Sequence, residues 1–152
     1  MAKLKKEKDK LFSDTEGKLY AYNSMKIELN AYKIDLEYLK EMYKGCKAIN
    51  YDSQKTGETY NINNSVENEV IEKEKEIECL EFKINKKERQ IKKIENALNL
   101  LNSKELELVK FRYFSNRSIA PSWIDIAEEI GFSEKKCRMM RNDIIDKIKK
   151  FV

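Results

Sequence analysis

Apolar residues recur along this chain with two long helical periods. In the first, Tyr22, Met25, Leu29, Tyr32, Leu36, Leu39, Tyr43 and Cys46 alternate at spacings of three and four. Residues so spaced share one helix face, and a stripe kept for more than three heptads marks a coiled-coil seam. The intervening positions are mainly Lys, Glu, Asp and Asn. In the second, Val70, Ile77, Ile84, Ile91 and Leu98 recur every seven residues, with Val66, Leu80, Ile94 and Leu101 at companion positions. Lys73 and Lys87 interrupt that companion set. Each stripe predicts a helix of about 35 residues, about 50 Å at the α-helical rise.

Start signals precede both stripes. Ser13 and Glu16 form S-x-x-E, Asn64 and Glu67 form N-x-x-E, and such pairs satisfy free amides in a first turn. Gly17 weakens the first of them. Residues 1–12 are largely charged with no periodic face, and a flexible arm is expected there. The stripes are joined by a polar segment, Asn50 to Asn64, with a turn signal at Lys55-Thr56-Gly57. Ile49–Asp52 and Thr59–Ile62 make a weak pattern for a small strand pair. The Asp52-x-Gln54-x-Thr56-Gly57 run resembles the start of a calcium loop, but Asn63 stands where a bidentate Glu is needed, which excludes it. Similar lengths and a connecting loop predict an antiparallel helical hairpin over residues 13–102. The alternative pairs one or both helices with a second molecule, and heptads alone do not separate the two.

After Leu101 the period changes. Ser103, Lys104 and Glu105 break the stripe and start a short amphipathic helix carrying Leu106, Val109 and Phe111 to Phe114. Ser115 to Pro121 reads as a loop. Ser122 caps a helix over Trp123–Ile130, Gly131 stops it, and Ser133 caps a last helix running to Val152. The fold class is therefore all-α, with a second domain over residues 103–152. Its segment WIDIAEEIGFSEKKCRMMRN fits a helix-turn-helix register from Trp123. Ile126 and Ile130 face inward, and Ala127 is small where two helices cross. Gly131 supplies the left-handed turn, Phe132 plugs it, and Cys137 and Met140 face inward from the second helix.

Charge sharpens this picture. The chain has 31 Lys or Arg and 27 Asp or Glu, a net charge of +4. From Ser133 to Val152 there are seven basic residues against three acids, so the surplus lies on the last helix. A lone basic helix in a Lys-rich protein is ordinarily a solvated face. Joined to a helix-turn-helix register, it fits a major-groove reader. The outer face is then Glu134, Lys135, Lys136, Arg138, Met139, Arg141 and Asn142. Arg138 and Lys135 suit guanine edges and Glu134 a cytosine amine. Lys136, Arg141 and Arg117 suit phosphates, and the helix starts at Ser122 and Ser133 offer amides to them.

Composition excludes other chemistry. Histidine is absent, and there are one proline and four glycines. Histidine-based triads and histidine metal sites are ruled out, and a barrel or Gly-rich phosphate loop is disfavoured. The acids are spread along helix faces beside lysines, as at Glu74, Lys75 and Glu78, so no enzyme, cofactor or metal is expected. Cys46, Cys79 and Cys137 are too far apart for a zinc site or a disulfide framework and point to a reducing compartment. No apolar run approaches the roughly 20 residues of a membrane span, and MAKLKKEKDK does not read as a secretory signal. A cytoplasmic, nucleoid-associated protein with no membrane partner is expected.

The stretch LNSKELELVKFRYF, followed by SWIDIAEEIGFSEKKCRMMRNDIIDKI, resembles the promoter-reading region four of bacterial sigma factors. There too an R-Y-F-like run precedes a helix-turn-helix whose last helix ends in an I-x-x-I-like stripe, here Ile144, Ile145 and Ile148. Within that class the chain is similar to the ArpU and RinA type of phage and prophage transcriptional regulators. The runs TEGKLYAY (Thr15 to Tyr22) and NNSVENEVI (Asn63 to Ile71) are similar to prophage members of this type. The resemblance implies promoter-specific binding to double-stranded DNA and activation of late phage genes with host RNA polymerase. No domain for the −10 element is recognisable, which implies an activator and not a self-sufficient sigma factor. Two other readings compete. A small terminase subunit also binds DNA, but it usually places the DNA-binding unit first. A coiled-coil adaptor binding protein through its C-terminal domain predicts no salt-dependent DNA binding. A homodimer through the helical region is compatible with each.

Overall fold

The computed structural model describes residues 2–45, 63–115 and 119–152, and among them the protein is all-α. The helices are α1 (Ala2–Tyr20), α2 (Tyr22–Gly45), α3 (Asn63–Leu98), α4 (Ser103–Tyr113), α5 (Trp123–Ile130) and α6 (Glu134–Ile148). Cys46, Arg117, the turn at Lys55-Thr56-Gly57 and the weak strand pair lie outside the described residues. The chain divides into two compact units, residues 1–27 with 88–152, and residues 28–87. The sequence expectation set one boundary at 102/103. Residues 1–27 and 88–102 cluster with α4 to α6, and Leu19, Tyr22, Met25, Ile91, Ile94, Ala97 and Leu98 from these segments are buried there.

Helix α1 shows why. It covers Ala2–Tyr20, including the segment expected to be a flexible arm. Thr15 and Leu19 are fully buried, and the Thr15 hydroxyl donates to the Leu11 carbonyl at 2.8 Å. Ser13 therefore lies inside a helix and does not start one, and the Glu16 carboxylate bonds to other helices instead of capping its own. Helical hydrogen bonding passes Ala21, whose N–H donates to Gly17 and whose carbonyl accepts from Met25. Gly17 has open space where a Cβ would stand, so its cost there is helix propensity alone.

In the larger unit Leu19, Tyr22, Met25, Ile91, Ile94, Ala97 and Leu98 are buried, as are Leu108, Val109 and Tyr113 of α4. Ile126, Ile130, Cys137, Ile144, Ile145 and Ile148 complete this core from α5 and α6. Burying such side chains stabilises by about 1.5–3 kcal/mol each. The Tyr22 ring stacks on Phe114 at 4.3 Å, and its hydroxyl donates to Glu95 at 2.7 Å. Helix α4 begins at Ser103, the expected break, with Asn102 as its N-cap. Asn102 Oδ1 accepts from the Glu105 amide, and the Glu105 carboxylate accepts from the Asn102 amide, a complete capping box.

The smaller unit holds residues 28–45 of α2 and 63–87 of α3. Glu28 pairs with Lys87 at 2.6 Å and Lys40 with Glu81 at 2.7 Å, while Lys83 stands 5.9 Å from the Tyr32 ring. Early residues of this part of α2 thus meet late residues of this part of α3. The interrupting Lys87 at a seam position is accounted for by its pairing with Glu28. Leu29, Tyr32, Leu36, Leu39, Ile77 and Leu80 are only half-buried, and Ile84 is the one buried side chain among the described residues of this unit.

Candidate nucleic-acid interface

The geometry of α5, the turn and α6 follows from three short local signals. At Ser122 the hydroxyl accepts from the Asp125 amide at 3.2 Å, and the Asp125 carboxylate accepts from the Ser122 amide at 3.0 Å. At Gly131 the backbone takes φ 77° and ψ 31°, the left-handed region that favours glycine. The Gly131 and Phe132 amides both donate to the Ala127 carbonyl, closing the end of α5. At Ser133 the hydroxyl accepts from the Lys136 amide at 3.3 Å and starts α6. Ile126, Ile130, Cys137 and Ile144 are then buried, while Phe132 and Met140 are half-buried. Burial pushes the Cys137 thiol upward from its ordinary pKa, so it behaves as an apolar core residue.

Of the sequence-predicted site residues, Lys135, Lys136, Arg138, Met139 and Asn142 share the exposed side of α6. Met139 is 59% exposed, a large apolar side chain left on a basic surface. Glu134 and Arg138 are joined, the Arg138 Nε donating to Glu134 Oε1 at 3.0 Å across one helical turn. The same guanidinium stands 5.5 Å from the Trp123 ring, and that of Arg112 stands 4.1 Å from it. Trp123 is half-buried, so it is a cation–π partner for two arginines as well as part of the packing. Lys136 lies over the Phe132 ring at 5.3 Å.

Arg141 is set apart from this group. Its Nε donates to Glu16 Oε1 at 2.8 Å, its second nitrogen reaches Glu16 Oε2, and its guanidinium covers the Phe12 ring at 4.9 Å. The Tyr113 hydroxyl donates to the same Glu16 oxygen at 2.7 Å. Burial alone raises the Glu16 carboxyl, but the hydrogen bonds from Arg141 and Tyr113 outweigh it and hold Glu16 below its usual value. Burial and the Glu16 charge push the Tyr113 hydroxyl upward, and the Glu16 hydrogen bond raises Arg141. A similar post stands farther along α6, where Lys147 donates to the buried Glu105. There the Lys147 and Asn102 hydrogen bonds overcome burial and lower the Glu105 carboxyl.

Glu16, Tyr113, Arg112, Phe12 and the Glu105–Lys147 pair have no place in the sequence reading of the site. Glu16 and Arg141 are 125 residues apart, and no spacing rule links them. The one available signal is the Arg112-Tyr113-Phe114 run, an unusual cluster at the end of a short helix. Ser122 and Ser133 stand at the helix starts, as expected.

The chain matches no curated protein and no solved structure. A family model described as "Protein of unknown function (DUF722)" matches it over residues 4–150. That match takes in α1 together with α4 to α6, and on it this protein belongs to the DUF722 family.

Proposed function

We propose that this protein is a sequence-specific DNA-binding transcriptional regulator with a sigma-like helix-turn-helix. In this reading α2 and α3 form a helical hairpin, α5 and α6 form the helix-turn-helix, and α6 enters the major groove. The observation that carries it is the exposed basic side of α6, with Lys135, Lys136, Arg138 and Asn142 standing on a capped helix behind a left-handed Gly131 turn. Lys135 and Arg138 read guanine edges, Asn142 an adenine edge, and Met139 lies against a thymine methyl. Glu134 holds Arg138 in the free protein and turns to a cytosine amine when Arg138 moves to a base. Lys136, Arg117 and the amides at the Ser122 and Ser133 helix starts take phosphates. Arg141, already bonded to Glu16, fixes α6 on α1 and orients the reading face.

The resemblance to sigma region four and to the ArpU and RinA type extends this reading to activation of phage late genes with host RNA polymerase, in the cytoplasm. Among the described residues no helix is long and apolar enough to cross a membrane. The decisive experiment is selection of bound fragments from genomic DNA, followed by transcription in vitro with and without host polymerase. Specific binding with stimulated transcription is expected. Salt-insensitive binding, or none, sinks the reading in favour of a protein-binding adaptor, and specific binding without stimulation leaves a repressor or a packaging protein.

A further inference from the structure

The smaller unit carries a second apolar stripe that its own two helices do not cover. On α2, Ile34 is 57% and Tyr38 is 62% exposed, and on α3 Phe82 is 69% exposed beside the exposed Cys79. Tyr38 of α2 and Cys79 of α3 meet at one groove between the helices, lined also by Asp35, Glu76 and Lys83. The internal seam is thin, with half-buried leucines on both sides. Two helices bury too little apolar surface to make a stable core by themselves, and four do so readily.

The charges on α3 say what covers this face. From Glu72 to Glu81 there are five acids and two lysines, whereas Lys83, Lys86 and Lys87 follow with no acid among residues 83–87. Phe82 stands at the change of sign. Glu78 and Lys86 lie four residues to either side of it, on the same exposed helix face. A two-fold axis through Phe82 sets Glu78 of one chain against Lys86 of another, and repeats the pair on the other side of the axis. Such a contact is self-complementary and closed.

From this we infer that the smaller unit is a homodimerisation module, in which α3 of one chain packs antiparallel on α3 of a second copy, about an axis at Phe82. The two hairpins make a four-helix layer, with Tyr38 and Cys79 under the partner and the Glu78–Lys86 pairs at its rim. This rests on unit 28–87 alone and is independent of the DNA-binding reading.

Light scattering of the full chain and its variants, with circular dichroism to verify helix content, tests it. The wild type is expected to be a dimer at micromolar concentration, and Phe82→Glu a monomer of unchanged helix content. Glu78→Lys and Lys86→Glu singly bring like charges together and weaken dimerisation by about tenfold or more, whereas E78K/K86E restores it. A monomeric wild type would show that some other partner covers the stripe and overturns the proposal. So does a dimer indifferent to Phe82→Glu. Failure of the double variant to recover overturns the antiparallel arrangement, because only that arrangement sets residue 78 against residue 86.

Discussion

Glu16 on α1 accepts hydrogen bonds from Arg141 on α6 and from the Tyr113 hydroxyl on α4, so one carboxylate ties three helices of the larger unit together. Its side chain is 15% exposed and that of Arg141 is 27% exposed. Glu16→Ala and Arg141→Ala are each expected to cost about 1–3 kcal/mol, because each leaves a partly desolvated charge without its partner. The double variant is expected to cost less than their sum, with a coupling of about 1 kcal/mol. Urea unfolding of the four proteins measures this, and strict additivity would show that the pair contributes nothing.

The same carboxylate makes stability depend on acid. Glu16 and Glu105 both titrate below their ordinary value of 4.5 in the folded chain. A group depressed on folding contributes stability that is complete above its unfolded pKa and is lost as pH falls through the folded one. The urea midpoint is therefore expected to hold from pH 7 to about 5.5 and to drop below that, as the unfolded chain takes up protons first. Glu16→Gln lowers the midpoint at neutral pH and makes the acid decline shallower. A decline as steep as in the wild type would show that other carboxylates set it.

Two glycines are expected to respond with opposite signs. Neither Gly17 nor Gly131 has a neighbouring heavy atom within 4 Å of an added Cβ, so backbone conformation alone decides. Gly17 lies inside helix α1, and Gly17→Ala is expected to stabilise by about 0.5–1 kcal/mol. Gly131 has φ 77°, and Gly131→Ala is expected to destabilise by about 1–2 kcal/mol, with Gly131→Asn milder. Thermal unfolding of the three variants checks both signs.

If α6 reads DNA as proposed, its face divides by role. Arg138→Ala and Lys135→Ala are expected to weaken binding to the selected site by about 1–3 kcal/mol each and to relax preference at one base position. Lys136→Ala is expected to weaken all sequences alike and to reduce the salt slope by about 1. Titrations at two salt concentrations on the selected site and on single-base variants separate these effects. Unchanged affinity in both Arg138→Ala and Lys135→Ala would remove α6 as the reading helix.

Helices were legible wherever the signal is local. The Ser122 cap, the Gly131 stop and the Ser133 cap each act within four residues, so the boundaries of α5 and α6 follow from residue types alone. Ile144, Ile145 and Ile148 read as an inward stripe and are fully buried. Residues 2–12, expected to be a flexible arm, lie within α1 for the converse reason. They have no periodic apolar face of their own, yet the α1 they belong to buries Thr15 and Leu19 and is held through Glu16 and Phe12 by Arg141, far along the chain. The expected Ser13 start failed because an S-x-x-E pattern is also an ordinary helix interior when the carboxylate has a stronger partner elsewhere.

By itself, then, the sequence determined the all-α class seen among the described residues, the two heptad stripes and the concentration of positive charge on its last helix. These depend on spacing and propensity, which are properties of neighbouring residues. Only the tertiary structure decided that residues 1–27 and 88–102 join α4 to α6 in one unit, that Arg141 serves Glu16, and that Trp123 carries two guanidinium groups. Each of these joins groups far apart in sequence. Desolvated charges and rings settle on the partners that the packed core brings within reach, and no local pattern records which those are.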